Sequence, residues 1–290
     1  MMSSYKNRIA IAYDFDGTLA PDNMQEHNFI PDLNMDKADF WHEANQMAKA
    51  NDMDEVLAYM YLMLEKAKAQ NIPIKEQTFV DYGKTITFFK GVESYFERIN
   101  RYVESKGFLL EHHIISSGLR EFIKGTTIAR YFNNIFASGF IYDEQGVARW
   151  AALAVNYTNK TQFLFRINKG INNSYDNTLI NKVVPEDEKP VPFSNIIYLG
   201  DGETDVPAMK MVKLYGGTTI AVYNPNPARF DGQARDPKTI CRGIVEAKRA
   251  DYFASADYSE EGELYQHLCF AIDKIVAEQS LNLLKDRQLK

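Results

Sequence analysis

Asp14 and Asp16 stand at the end of an apolar run, Ile9-Ala-Ile-Ala-Tyr-Asp14-Phe-Asp16-Gly17-Thr18-Leu19. In extended backbone, residues two apart share a face. Two carboxylates so placed repel unless one holds a proton or a cation lies between them. A calcium loop of the EF-hand kind needs a third ligand at position five and glycine at six. Here glycine is fourth and Thr18 fifth, so that assignment fails. A second acidic cluster, Gly200-Asp201-Gly202-Glu203-Thr204-Asp205, follows the apolar run Asn195 to Leu199. Between the two lie Ser116-Ser117-Gly118, after Phe108 to Ile115, and Lys160 in Asn-Lys-Thr. Hard carboxylate oxygens suit Mg2+, which also binds substrate phosphates. A carboxylate can attack phosphorus. A second can protonate the leaving oxygen and then activate water. Cation, lysine and backbone N–H groups can stabilise charge on the transferring group.

Other chemistries find no footing. A dinucleotide fingerprint would need glycine where Asp205 stands. There is no Walker-type loop and no nucleophile-elbow serine. The five histidines lack metal-ligand spacing, and His112 and His113, at a strand start, are expected to take a packing or surface role.

These residues need a scaffold. Apolar, β-branched runs bounded by polar residues read as buried parallel strands, and ligands bind beyond their carboxyl ends. Strands are expected at Ile9, Phe108–Ile115, Asn195–Leu199, Thr218–Val222 and near Tyr252-Phe253. A β-hairpin is expected from Ile135–Tyr142 and Trp150–Asn156 around the turn Asp143 to Gly146. Helices are expected at Gly91–Lys106, with Val92, Tyr95, Phe96, Ile99 and Val103 on one stripe, from about Arg120, from about Thr158, and at Leu264–Leu284. The alternation predicts a Rossmann-like, doubly wound α/β fold with a mostly parallel sheet. Pro21 to about Lys90 has no glycine before Gly83 and shows helical spacing at Phe40–Met47 and Val56–Leu64, with Asp52 or Asp54 as a cap. It reads as a small helical unit inserted after the first strand. Asn172 to Phe193 reads as a surface excursion, and Asn224-Pro-Asn-Pro227 closes a strand.

In order and context, these motifs resemble those of the haloacid dehalogenase-like (HAD) hydrolase superfamily. DFDGTL at Asp14 to Leu19 resembles its first motif, Ile114-Ile-Ser116-Ser-Gly the second, Lys160 the third and GDGETD at Gly200 to Asp205 the fourth. The resemblance implies a core of residues 1–20 and 91–290 with a helical cap at 21–90 that closes over substrate. It implies Asp14 as nucleophile and Mg2+ ligand, and Asp16 as general acid/base with its carbonyl on the metal. Ser116, with backbone N–H groups at Ser117 and Gly118, would hold the phosphoryl group, and Lys160 would neutralise charge. Asp201 would be the main metal ligand, with Asp205 beside it or just behind. The implied activity is Mg-dependent hydrolysis of a small phosphomonoester through an aspartyl-phosphate. A phosphomutase or phosphotransferase is the alternative on the same site.

Within the superfamily the motifs look most like phosphoserine phosphatases, but with departures. Those enzymes hold the substrate carboxylate with a cap arginine, and none occurs between Arg8 and Arg98. Their early cap acid falls near Asn23, with Asp22 and Glu26 close by, and Thr204 replaces an asparagine. Phosphoserine is therefore not the expected substrate. Phe29, Phe40, Trp41, Tyr59, Glu26 and Glu43 would instead tolerate a cationic or ring-bearing leaving group.

At 290 residues and a net charge of −6, with no long basic run, the chain does not read as a nucleic-acid binder. Two cysteines, Cys241 and Cys269, make no disulfide framework. No membrane-length apolar stretch or signal peptide is evident, so a cytoplasmic location is expected.

Overall fold

The computed structural model describes residues 7–72, 74–226 and 236–289. Met1–Lys6 and Pro227 of the expected strand-closing turn lie outside them. The chain opens with β1 (Arg8–Tyr13) and then a helical stretch. This holds α1 (Phe29–Asp32), α2 (Lys37–Asn51), α3 (Glu55–Ala69) and α4 (Glu76–Gly83). Next come α5 (Val92–Ser105), β2 (Leu109–Leu119), α6 (Arg120–Gly125), β3 (Asn134–Tyr142), β4 (Ala148–Leu153) and α7 (Lys160–Asn168). The chain continues through α8 (Asn177–Asn181), β5 (Ile196–Gly200), α9 (Val206–Leu214), β6 (Thr218–Tyr223), α10 (Pro237–Glu246), β7 (Tyr252–Ser255) and α11 (Glu263–Gln288).

The sheet runs β4-β3-β2-β1-β5-β6-β7. All neighbours are parallel except β3 and β4, the expected hairpin. β1 lies centrally, and its alternation divides the core. Ile9, Ile11 and Tyr13 pack on the face covered by α5, α11 and the inserted helices. Ala10 and Ala12 face the layer that holds Phe163, Met209 and Cys241. The α5 stripe is buried at each expected position. Cys241 is buried and Cys269 half-buried, both free.

Local chemistry explains where elements start and stop. Asp54 caps α3 by accepting the N–H groups of Val56 and Leu57. Asp52, the other candidate, instead ends α2 in left-handed backbone. β2 runs past Ile115 and takes in Ser116, Ser117 and Gly118, which were expected after the strand. The register against β3 shifts between Ser116 and Leu119. The Ser116 hydroxyl accepts the Gly118 N–H at 3.0 Å, which satisfies a donor that the bulge would orphan. β4 stops at Leu153 because Ser138 Oγ takes the Val155 N–H and Asn156 Oδ1 gathers the N–H groups of Thr158 and Asn159. The excursion after Asn172 forms α8, and the Arg166 guanidinium holds the approach to it by donating to the carbonyls of Asn173, Ser174 and Asp176.

The inserted helices share buried side chains with the α5 side of the core. Phe79 of α4 stacks on Phe122 and Phe140, with centroids 5.4 and 5.9 Å away. α4 crosses α6 at two glycines. A Cβ on Gly83 would stand 2.0 Å from the Phe122 carbonyl oxygen, and one on Gly125 would stand 1.9 Å from that of Val80.

Candidate active site

The carboxyl ends of β1, β2 and β5 converge on a cavity of about 490 Å³. Asp14, Asp16, Ser116, Ser117, Gly118 and Asp201 line it, together with Asp22, Asn23, Glu26 and Thr204. Asp14 directly follows β1, and its N–H is held by the Leu199 carbonyl of β5 at 2.9 Å. Gly17 turns the chain with φ +73°, and a Cβ there would stand 2.2 Å from Asp201 Oδ2. Only glycine allows both the left-handed turn and this close passage. The turn directs Asp16 back into the cavity, where its Oδ1 accepts the Met24 N–H at 3.0 Å.

Lys160 and Asp205 lie behind the lining, both essentially buried. The Lys160 ammonium reaches Asp14 Oδ2 at 2.9 Å and Asp205 Oδ1 at 2.7 Å. Asp205 Oδ1 also accepts the Tyr198 hydroxyl at 2.7 Å, and its Oδ2 accepts the Asp201 N–H at 3.0 Å. Asp14 Oδ1 accepts the Phe15 N–H at 2.8 Å. The expected residues are thus brought together, in two tiers. Asp14, Asp16, Ser116, Ser117, Gly118 and Asp201 face the cavity. Lys160 and Asp205 hold Asp14 and Asp201 from behind.

Four carboxylates gather here, and the Lys160 ammonium contacts two of them, Asp14 and Asp205. Burial pushes the Asp14 carboxyl up to about 6 against the pull of Lys160, with Asp205 adding to the rise. Burial, then the charge of Asp14, holds Asp16 well above the usual carboxylate range. Burial, followed by Asp205 and Asp14, does the same to Asp201. Burial works against the Lys160 ammonium, but Asp14 and Asp205 outweigh it and hold the group above the ordinary lysine range.

The donor set fits a hard cation. Asp14, Asp201 and Asp205 each offer a carboxylate oxygen, all within 4.8 Å of one another. Among the described residues, none donates a hydrogen bond from elsewhere to the Asp201 carboxylate, although it is mostly shielded from water. A divalent ion would relieve this crowding, and oxygen-only ligands suit Mg2+ or Ca2+ over softer metals.

Three participants escaped the sequence reading. Tyr198 anchors Asp205; a tyrosine inside a buried strand needs a polar partner, and that signal was present. Met24 holds Asp16 by its N–H and accepts the Leu119 N–H on Sδ at 3.2 Å. Tyr157 follows Asn156, which bonds Asp54 of the insert at 2.6 Å, and no local pattern announces that contact. Of the insert residues singled out earlier, Trp41, Tyr59 and Glu26 reach the site region. Phe29 and Phe40 are buried in the core, and Glu43 pairs outside with Lys66.

The fold is that of HAD family hydrolases, phosphoserine phosphatases among them. A HAD family hydrolase of Salmonella enterica serovar Typhi superposes with a TM-score of 0.52 at 19% identity, over 84% of this chain and 66% of that one. A phosphoserine phosphatase solved as a phospho-aspartyl intermediate analogue gives 0.52 at 14% identity, over 91% and 99%. In sequence, an uncharacterized protein of Borreliella burgdorferi is 27% identical, over 93% of this chain and 100% of its own length. No family model matches the sequence. Among the described residues no helix is long and apolar enough to cross a membrane.

Proposed function

We propose that this protein is a Mg2+-dependent phosphatase that hydrolyses a small phosphomonoester through an aspartyl-phosphate on Asp14, with residues 21–90 serving as its cap. The observation that carries the reading is the meeting of Asp14, Asp201 and Asp205 within 4.8 Å at one cavity, backed by buried Lys160 and faced by Ser116. The likeness to a phosphoserine phosphatase seen as a phospho-aspartyl analogue supports it at the level of fold.

Asp14 and Asp201 would hold the ion, with the Asp16 carbonyl. Both oxygens of Asp205 are engaged by Lys160, Tyr198 and the Asp201 N–H, so it acts as the anchor of the set. Bound Mg2+ would neutralise the phosphoryl oxygens and favour the ionised form of Asp14. Lys160 and the Phe15 N–H fix the Asp14 carboxylate from opposite sides, which orients an oxygen for attack on phosphorus. Burial and the neighbouring charge of Asp14 disfavour the Asp16 carboxylate, which suits this group to carry the proton it would deliver. Its Oδ2 turns toward Gly118, where a Cβ would stand 2.9 Å away. From there Asp16 protonates the departing ester oxygen as the Asp14–phosphorus bond forms. The resulting Asp16 carboxylate then takes a proton from the water that attacks phosphorus, releasing phosphate and restoring Asp14. Ser116, Ser117 and Gly118 line the side of the cavity where the phosphoryl oxygens would lie.

The test is phosphate release from p-nitrophenyl phosphate, with Mg2+ and with chelator, in wild type and Asp14→Asn. Wild type should turn over only with the ion, and the variant should lose at least about 10³-fold in kcat while folding normally. Undiminished turnover in the variant would end the aspartyl-phosphate mechanism.

A further inference from the structure

The cavity continues into a second, of about 200 Å³, through Asp16, Asn23, Ser117, Gly118 and Thr204. It extends beneath α2 and α3. On the phosphatase reading, on which this inference rests, the alcohol half of the ester must lie there. The far wall is aromatic. Trp41 and Tyr59 stand edge to face, centroids 5.7 Å apart and planes at 72°, and Tyr157 lines the same space. Each ring is fixed by a hydrogen bond. Trp41 donates to Glu26 Oε1 at 2.8 Å, Tyr59 to the Ser117 carbonyl at 2.5 Å, and Tyr157 to Glu55 Oε2 at 3.0 Å.

Charge in both cavities has one sign. Asp14, Asp16, Asp22, Glu26, Glu55 and Asp201 are in the linings, and among the described residues no lysine, arginine or histidine is. Glu55 has no lysine or arginine partner among the described residues. We propose that the second cavity holds a small alkylammonium group, so that the substrate is the phosphate monoester of a small amino alcohol. Fixed aromatic faces attract a cation through their quadrupole, and Glu55 adds its charge at the mouth. A leaving group with its own carboxylate or phosphate would find no cationic side chain among the described residues that line the second cavity. Hydrolysis releases the free amino alcohol, protonated on oxygen by Asp16, and inorganic phosphate carrying the oxygen of water.

The test compares kcat/KM, with Mg2+, for phosphocholine, phosphoethanolamine, phosphoserine and 3,3-dimethylbutyl phosphate, the uncharged carbon isostere of phosphocholine. At least one ammonium ester should exceed both the isostere and phosphoserine by about tenfold or more. Trp41→Leu and Glu55→Gln should move the ratio of ammonium ester to isostere toward one. An isostere used as well as phosphocholine and phosphoethanolamine, or a preference for phosphoserine, overturns the proposal. p-Nitrophenyl phosphate separates the two levels: if it too is inert, the phosphatase reading fails. Calorimetry with tetramethylammonium chloride then decides the cavity alone. Binding that Trp41→Leu abolishes supports an ammonium site, and no binding to wild type overturns it.

Discussion

Lys160 Nζ and Asp205 Oδ1 lie 2.7 Å apart with both side chains shut off from solvent, and the same ammonium touches the Asp14 carboxylate. Removing one member of a buried pair leaves the other charge without compensation, at a cost of about 3–5 kcal/mol. Lys160→Met should therefore lower stability by roughly that amount, read as a drop in urea midpoint with an unchanged slope. A change below about 1 kcal/mol would show that the ammonium does not balance the cluster.

Asp14 carries the opposite expectation. Its carboxyl is raised from 3.8 to about 6, so the folded chain binds that proton more tightly than the unfolded chain. Stability from this group is then present below pH about 4 and lost as pH rises toward about 6, by up to roughly 3 kcal/mol. Asp14→Asn removes the titration. In chelator, the variant should gain on wild type between pH 4 and pH 7, as measured by paired urea denaturations. A difference independent of pH would contradict the crowded-carboxylate picture.

Metal ion reverses that loss, since binding requires deprotonated ligands. Millimolar Mg2+ at about 100 times its dissociation constant adds about 2.7 kcal/mol. Thermal melts should show a rise of roughly 5 °C or more at pH 7.5, shrinking toward pH 5. Asp201→Asn should abolish most of the rise. An equal rise in that variant would move the ion elsewhere.

The α4–α6 crossing makes a prediction remote from chemistry. Gly83→Ala places a methyl 2.0 Å from the Phe122 carbonyl oxygen, and backbone must move to admit it. Overpacking of this kind costs about 1–3 kcal/mol. Alanine is otherwise the better helix former, so an unchanged or raised melting temperature would show that the helices separate without penalty.

What the sequence revealed follows from range. β1, β5 and β6 announced themselves because β-branched and small apolar residues run unbroken through them, and Asp14 and Asp201 ended two of those runs. Convergence followed from parallel strands presenting their carboxyl ends to one side. Ser116 was placed after its strand because a bulge is a two-strand property that one strand's residues do not display. The tiering of Lys160 behind Asp14 was hidden because a buried ammonium depends on partners 146 and 45 positions away, Asp14 and Asp205. The insert's contribution was the least legible. Trp41, Tyr59 and Phe40 share residue type and helical spacing, yet Phe40 is wholly core, Tyr59 is buried but borders the second cavity, and Trp41 lines it.

One hydrogen bond joins the two halves of the site. The Tyr59 hydroxyl, carried by α3, grips the carbonyl of Ser117 within the bulge that the proposed function sets against the phosphoryl group. On the proposed function, choice of alcohol and grip on phosphate would be mechanically linked through it. Re-engineering α3 for a different alcohol would retune the speed of the reaction along with its selectivity.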